Sequence, residues 1–286
     1  MLAPRQGFGP FAALARLVAL AAALISCGGE VVGVSSPISS TDPTTQPAQT
    51  SIMQTLWRRS VRQVVIEVDY GPGAAPFVGS VPGVRDLWGI FRSNAQRLFE
   101  GSGKTLAIPT TLGQMQRIDT DAEEYTLADL VALARRNRTT LSTGDTAAFY
   151  VMMLNGYFRD ASGQRRTDLL GGHLDGTGII VVFKPVVLGT AASGGAYAPA
   201  IVEQMTLVHE FGHAVGLVDD GVAPVRDHAD HARVHHCTST SCVMNAWNEG
   251  GAAATAFATR ISQTGDAILF DADCLADAAA AIAAAR

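Results

Sequence analysis

The apolar positions of this chain alternate between strand-like and helix-like spacing. Val61–Tyr70 alternates and is β-branched, which predicts a strand. Val84–Phe99 carries Leu87, Ile90, Phe91 and Leu98 at helical spacing. Lys104–Pro109 predicts a short strand. Leu127–Arg136 predicts a second helix, with the Thr126 hydroxyl placed to cap its first turn. Ala147–Leu154 and Gly178–Val187 read as further strands, and a long helix begins near Pro199. An Ala-rich helix ends the chain. Together these predict an α+β domain: a mixed sheet with helices, then the long helix, then a loop-rich remainder.

On that long helix Leu207, Phe211, Ala214 and Val218 share one face, while Met205, His209, His213 and Gly216 share the other. A helix of this kind is expected to lie between a core and a cleft. Gly216 is where it can end in a left-handed cap. The residues His209-Glu210-Phe211-Gly212-His213-Ala214-Val215-Gly216 spell H-E-x-x-H-x-x-G. Four residues of helix turn the chain by about 400° and advance it about 6 Å, so His209 and His213 point the same way. Each can give a ring nitrogen to one Zn2+ at about 2.0–2.1 Å. Glu210 can reach a water on that ion without ligating it, which suits a general base. The bland alternative is a buried helix whose His and Glu are only hydrogen-bonded. The added Gly and the helical context weigh against it.

A third protein ligand is needed. Asp219, three residues past Gly216, is a permissible oxygen ligand, and His228, His231, His235 and His236 follow. Most of these four histidines are expected in a solvated loop. His173, in a Gly-rich loop, reads as structural or exposed and not as a ligand.

The segment His236-Cys237-Thr238-Ser239-Thr240-Ser241-Cys242-Val243-Met244-Asn245 completes a resemblance. With residues 209–216 it is similar to the archaemetzincin motif of metzincin-type zinc peptidases, H-E-x-x-H-x-x-G-x-x-H-C-x4-C-x-M. The chain departs from it by about seventeen extra residues between Gly216 and His236. The resemblance implies a two-lobed zincin fold and a zinc metallopeptidase acting on protein or peptide substrates. It further implies His236 as third ligand, residues 217–235 as an inserted loop, and Met244 as the Met-turn beneath the metal. In that family four cysteines hold a second, structural zinc. Here Asp271-Ala272-Asp273-Cys274 stands at the later pair, so a second zinc would rest on three Cys and one Asp.

Residues 1–26 hold Arg5 and an apolar run from Phe11 to Ile25 interrupted by Arg16. That is shorter than the roughly 20 residues of a membrane span and fits a signal peptide. Leu24-Ile25-Ser26-Cys27 resembles a bacterial lipobox, which implies lipidation of Cys27 and a lipid-anchored location in the cell envelope. Residues 27–55, rich in Ser, Thr, Pro and Gln, read as a flexible tether. Residues 56–286 then form one domain of two lobes around a cleft. Export favours thiol pairing, so a small Cys237–Cys242 disulfide is expected, leaving Cys274 over.

Removing Arg5 and Arg16 takes the formal net charge from −5 to −7, which argues against nucleic acid as a partner. Gly101-Ser102-Gly103-Lys104-Thr105 lacks the first Gly of a phosphate-binding loop and lies between a helix and a strand in the wrong order. Strand Gly178–Val182 is the expected cleft edge. The alternative to a peptidase is a non-catalytic zinc-binding or scavenging lipoprotein, supported by the His-rich stretch 228–236.

Cys27→Ser is expected to abolish labelling by a fatty-acid analogue and to move the protein from the membrane fraction to the soluble one. Unchanged labelling and partition would rule out the anchor.

Overall fold

A computed structural model describes residues 52–246 and 251–285. The expected signal peptide, Cys27 and the expected tether up to residue 51 lie outside the described residues. The strands are β1 (Gln63–Tyr70), β2 (Thr105–Ala107), β3 (Gln116–Arg117), β4 (Glu124–Tyr125), β5 (Thr146–Leu154), β6 (Tyr157–Arg159), β7 (Arg165–Arg166), β8 (Gly171–Leu174) and β9 (Ile179–Phe183). The helices are α1 (Ile52–Leu56), α2 (Leu87–Leu98), α3 (Leu127–Asn137), α4 (Lys184–Gly189), α5 (Ala191–Gly194), α6 (Ala198–Ala214), α7 (Gly251–Thr264) and α8 (Ala272–Ala284). This is an α+β arrangement built on a mixed sheet. No helix among the described residues is long and apolar enough to cross a membrane.

The main sheet runs β2-β1-β5-β9-β8, with β3 also paired to β1. Its pairs are parallel except the last, β8 against β9. Central β5 is apolar without a break because helices cover both of its faces. Phe149, Val151 and Met153 join Val64, Ile66 and Val68 on the side of α2 and α6. Tyr150, Met152 and Leu154 join the cluster that holds α3 through Leu130 and Leu133. A small second sheet, β4-β6-β7, adjoins that second cluster through Tyr125 and Phe158.

Several sequence expectations hold closely. Thr126 caps α3 in a reciprocal box: its hydroxyl accepts from the Asp129 N–H, and the Asp129 carboxylate accepts from the Thr126 N–H. α6 ends in a Schellman turn, with Gly216 N–H donating to His213 O and Leu217 N–H to Gly212 O. Gly216 takes φ +88° there, a conformation glycine adopts without strain.

Others shift. The stretch Gly178–Val187 divides at Phe183, because Pro185 cannot donate to a sheet but suits the first turn of α4. β9 is therefore interior, and the edge strand is β8. Ile52 and Leu56 of α1 are buried in the main core, so α1 packs with the rest of the described chain. α6 is not amphipathic in effect: every residue from Ala198 to Ala214 is buried, so its His-bearing face is covered as well.

Phe211 locks α6 into this frame. Its ring meets Phe91 of α2 at 5.7 Å, Phe149 of β5 at 5.1 Å and Phe99 at 6.4 Å, all near edge-to-face. Phe211→Ala is expected to destabilise the fold by about 3–5 kcal/mol in chemical denaturation. A loss under about 1 kcal/mol would show that the ring is not a keystone.

Candidate metal centre

One turn of α6 brings His209 and His213 together, their Nε2 atoms 3.0 Å apart. His236 arrives from the loop after α6, its ring centroid 5.2 Å from that of His209 and 4.9 Å from that of His213. One ligand atom from each of the three lies within 4.8 Å of the others, so the three buried imidazoles form a group that could hold a metal ion. Tetrahedral zinc with bonds of about 2.0–2.1 Å would separate its nitrogens by about 3.3 Å.

The hydrogen bonds suit a cation. His209 Nδ1 donates to Val243 O at 2.8 Å, and His236 Nδ1 donates to Val234 O at 2.9 Å. Each bond fixes the proton on Nδ1 and turns the Nε2 lone pair inward. Lone pairs converging in a buried space repel unless a cation sits between them. Burial, and then the neighbouring His209, push the His236 imidazole down to about 4. Burial with His209, His173 and His236 around it holds His213 well below the usual histidine value. Both rings are thus neutral near pH 7, the form that ligates.

Glu210 adjoins this group on α6, is buried, and is not one of its members. Asp219 is exposed, with φ +62°, in the turn just beyond the helix cap, and does not join the imidazoles. Met244 is fully buried beneath α6: a Cβ on Gly212 would collide with its sulfur. Gly212 therefore admits the Met244 side chain between the turns that carry the two helical histidines.

The expected Cys237–Cys242 disulfide is not formed, and Cys237, Cys242 and Cys274 are all thiols. Instead they converge with Asp271 into a second group that could hold a metal ion. Cys242 Sγ and Cys274 Sγ stand 3.5 Å apart, far beyond a disulfide bond of about 2.05 Å but close to the roughly 3.8 Å of two thiolates on tetrahedral zinc. Asp271 caps α8 by accepting from the Cys274 N–H and also lies 3.5 Å from Cys237 Sγ. The neighbouring thiols, donating to Cys237, pull it far below the usual cysteine range, while Cys242 and Cys274 are raised by that same sharing.

Two residues had no signal in the linear pattern. His228, expected in a solvated loop, is buried: its Nδ1 lies 3.3 Å from Cys237 Sγ and its Nε2 lies 2.7 Å from Asp277 Oδ2. His231, in contrast, is exposed as expected. His173, expected to be structural or exposed, is buried on β8 beside Glu210 and stacks on His213. Only the folded register of β8 against α6 brings it there. The chain matches no known protein family, no curated protein and no solved structure with which it was compared.

His236→Ala is expected to lose most of the metal retained at the histidine group after dialysis against a weak chelator, and Asp219→Ala to keep it. The opposite pattern would assign Asp219 as ligand.

Proposed function

We propose that this chain is a zinc-dependent endopeptidase of the metzincin type, with one zinc at the three imidazoles and a second, structural one at Cys237, Cys242, Asp271 and Cys274. The observation that carries this reading is Glu210, a buried carboxylate next to His209 and outside the ligand group. A zinc carrier has no use for that carboxylate; a hydrolase needs it. The histidine-rich stretch gives the carrier reading little further support, since His228 is occupied by Cys237 and Asp277.

Zinc bound there would supply Lewis acidity, polarising a scissile carbonyl and bringing the pKa of a water to about 7. Glu210 accepts the proton of the attacking water and delivers it to the leaving amine. Val243 and Val234 carbonyls hold the His209 and His236 rings in register throughout. Met244, seated under Gly212, is the counterpart of the Met-turn in the archaemetzincin-like motif. The protein or peptide substrate would lie as an added strand along β8, whose outer edge has no partner strand among the described residues. Lipidated Cys27 would tether this domain to the cell envelope through residues 28–51.

Glu210→Ala is expected to keep zinc stoichiometry and to lower hydrolysis of unfolded casein by about 10²–10⁴-fold. A variant as active as the parent would exclude Glu210 as the base. A parent that binds zinc and digests nothing would favour the binding protein instead.

A further inference from the structure

His173 lies between two carboxylates. Its Nδ1 is 3.6 Å from Glu210 Oε2, and its Nε2 is 3.8 Å from Asp220 Oδ2. The side chain is only 4% exposed. Its ring lies nearly parallel to that of His213, with centroids 5.1 Å apart and planes 16° apart. Stacked in this way, it aims its nitrogens at the carboxylates and not into the imidazole group, to which it does not belong. The close approach is built into the backbone: a Cβ on Gly171 would collide with Thr206 and touch Glu210 Cγ at 3.4 Å, so only glycine lets β8 press this near to α6.

A glutamate side chain turns about three bonds, and a base works only if its carboxylate is aimed. From these contacts, and resting on the peptidase reading above, we propose that His173 is a positioning residue for Glu210. Its Nδ1–H holds one carboxylate oxygen and leaves the other turned toward the attacking water. Asp220, 3.8 Å from the opposite nitrogen and beyond hydrogen-bond reach, favours the same ring orientation by charge attraction alone. At 3.6 Å the contact is longer than a hydrogen bond. Catalytic hydrogen bonds are often this loose before substrate binds and tighten in the reacting complex. Asp220 also lies 3.8 Å from His235 Nδ1, in the loop after α6.

The test uses the zinc-loaded full chain and the variants His173→Phe, which keeps a stacked ring without an N–H, and His173→Gln, which keeps a donor. His173→Phe is expected to lower kcat by about 10–100-fold, the range for residues that orient a metal site from behind, with KM within about twofold and zinc content unchanged. His173→Gln should recover part of the loss. Acetohydroxamate binding gives a readout apart from turnover, because the ligand's proton passes to Glu210. Its affinity should fall about tenfold in His173→Phe but not when the same change is made in a Glu210→Gln background. Parent kcat and parent hydroxamate affinity in His173→Phe would overturn the proposal. So would loss of zinc in that variant, which would make His173 a support of His213. A parent that cleaves no peptide would overturn the peptidase reading alone, and the hydroxamate cycle would still decide whether His173 positions Glu210.

Discussion

A helix buried along its whole length must satisfy every polar side chain it carries from inside the protein, and α6 carries six: Glu203, Gln204, Thr206, His209, Glu210 and His213. Leaving a buried polar group without a partner costs about 1–3 kcal/mol, and an unpaired charge costs more. In the N-terminal half Glu203 is satisfied by the fold, whereas Gln204 donates only a long bond to Phe77 O and its Oε1 has no hydrogen-bond partner among the described residues. Glu203 pairs with Lys184 and accepts from the Phe77 N–H, which ties α4 and the loop after β1 to the helix. The C-terminal half is satisfied only in part: Thr206 Oγ1, His213 Nδ1 and His173 Nε2 have no hydrogen-bond partner among the described residues. The last two of these belong to stacked rings at the imidazole group. The helix thus carries its buried ion pair toward its start and the candidate metal ligands toward its end.

Holding His236 in place falls to a segment with little regular structure. From the cap of α6 to Ala246 the chain is turns and bridges, with Val218 at φ +56° and Asp219 at +62°, backbone that a β-branched residue adopts only under constraint. What fixes it is polar. Cys237 N–H donates to Met244 O, Asn245 Nδ2 donates to Cys237 O, and Thr238 N–H donates to His228 O. Asp277 binds His228 and also accepts from the Val225 N–H, so α8 anchors the first half of the loop at two points three residues apart.

Much of the frame was legible because it is local. The alternation of β1, the apolar run of β5, the Thr126 cap and the glycine after α6 each follow from neighbours within a few residues. The metal-binding spacing on α6 is local too, and His236 was found only because a resemblance tied it to Cys237, Cys242 and Met244. The failures share a cause. His173 and His228 lie against partners 37 and 49 positions away, Glu210 and Asp277, and nothing near them in the sequence signals it. The disulfide expectation counted thiols by compartment, but Asp271, which also caps α8, supplies the fourth corner of a group that spacing alone could not close. Pro185 did mark the end of β9, yet the apolar residues around it outweighed that signal in the linear pattern.

His236 and Cys237 are consecutive residues assigned to two different ligand groups. One peptide unit therefore joins the two groups, so a backbone shift at either residue is felt at both. Occupancy of the sites would then be thermodynamically linked: whatever free energy an ion at the cysteines spends ordering this peptide is free energy that an ion at the histidines no longer needs to supply, and the reverse holds equally. Backbone order that one group imposes on this peptide is thereby shared with the other.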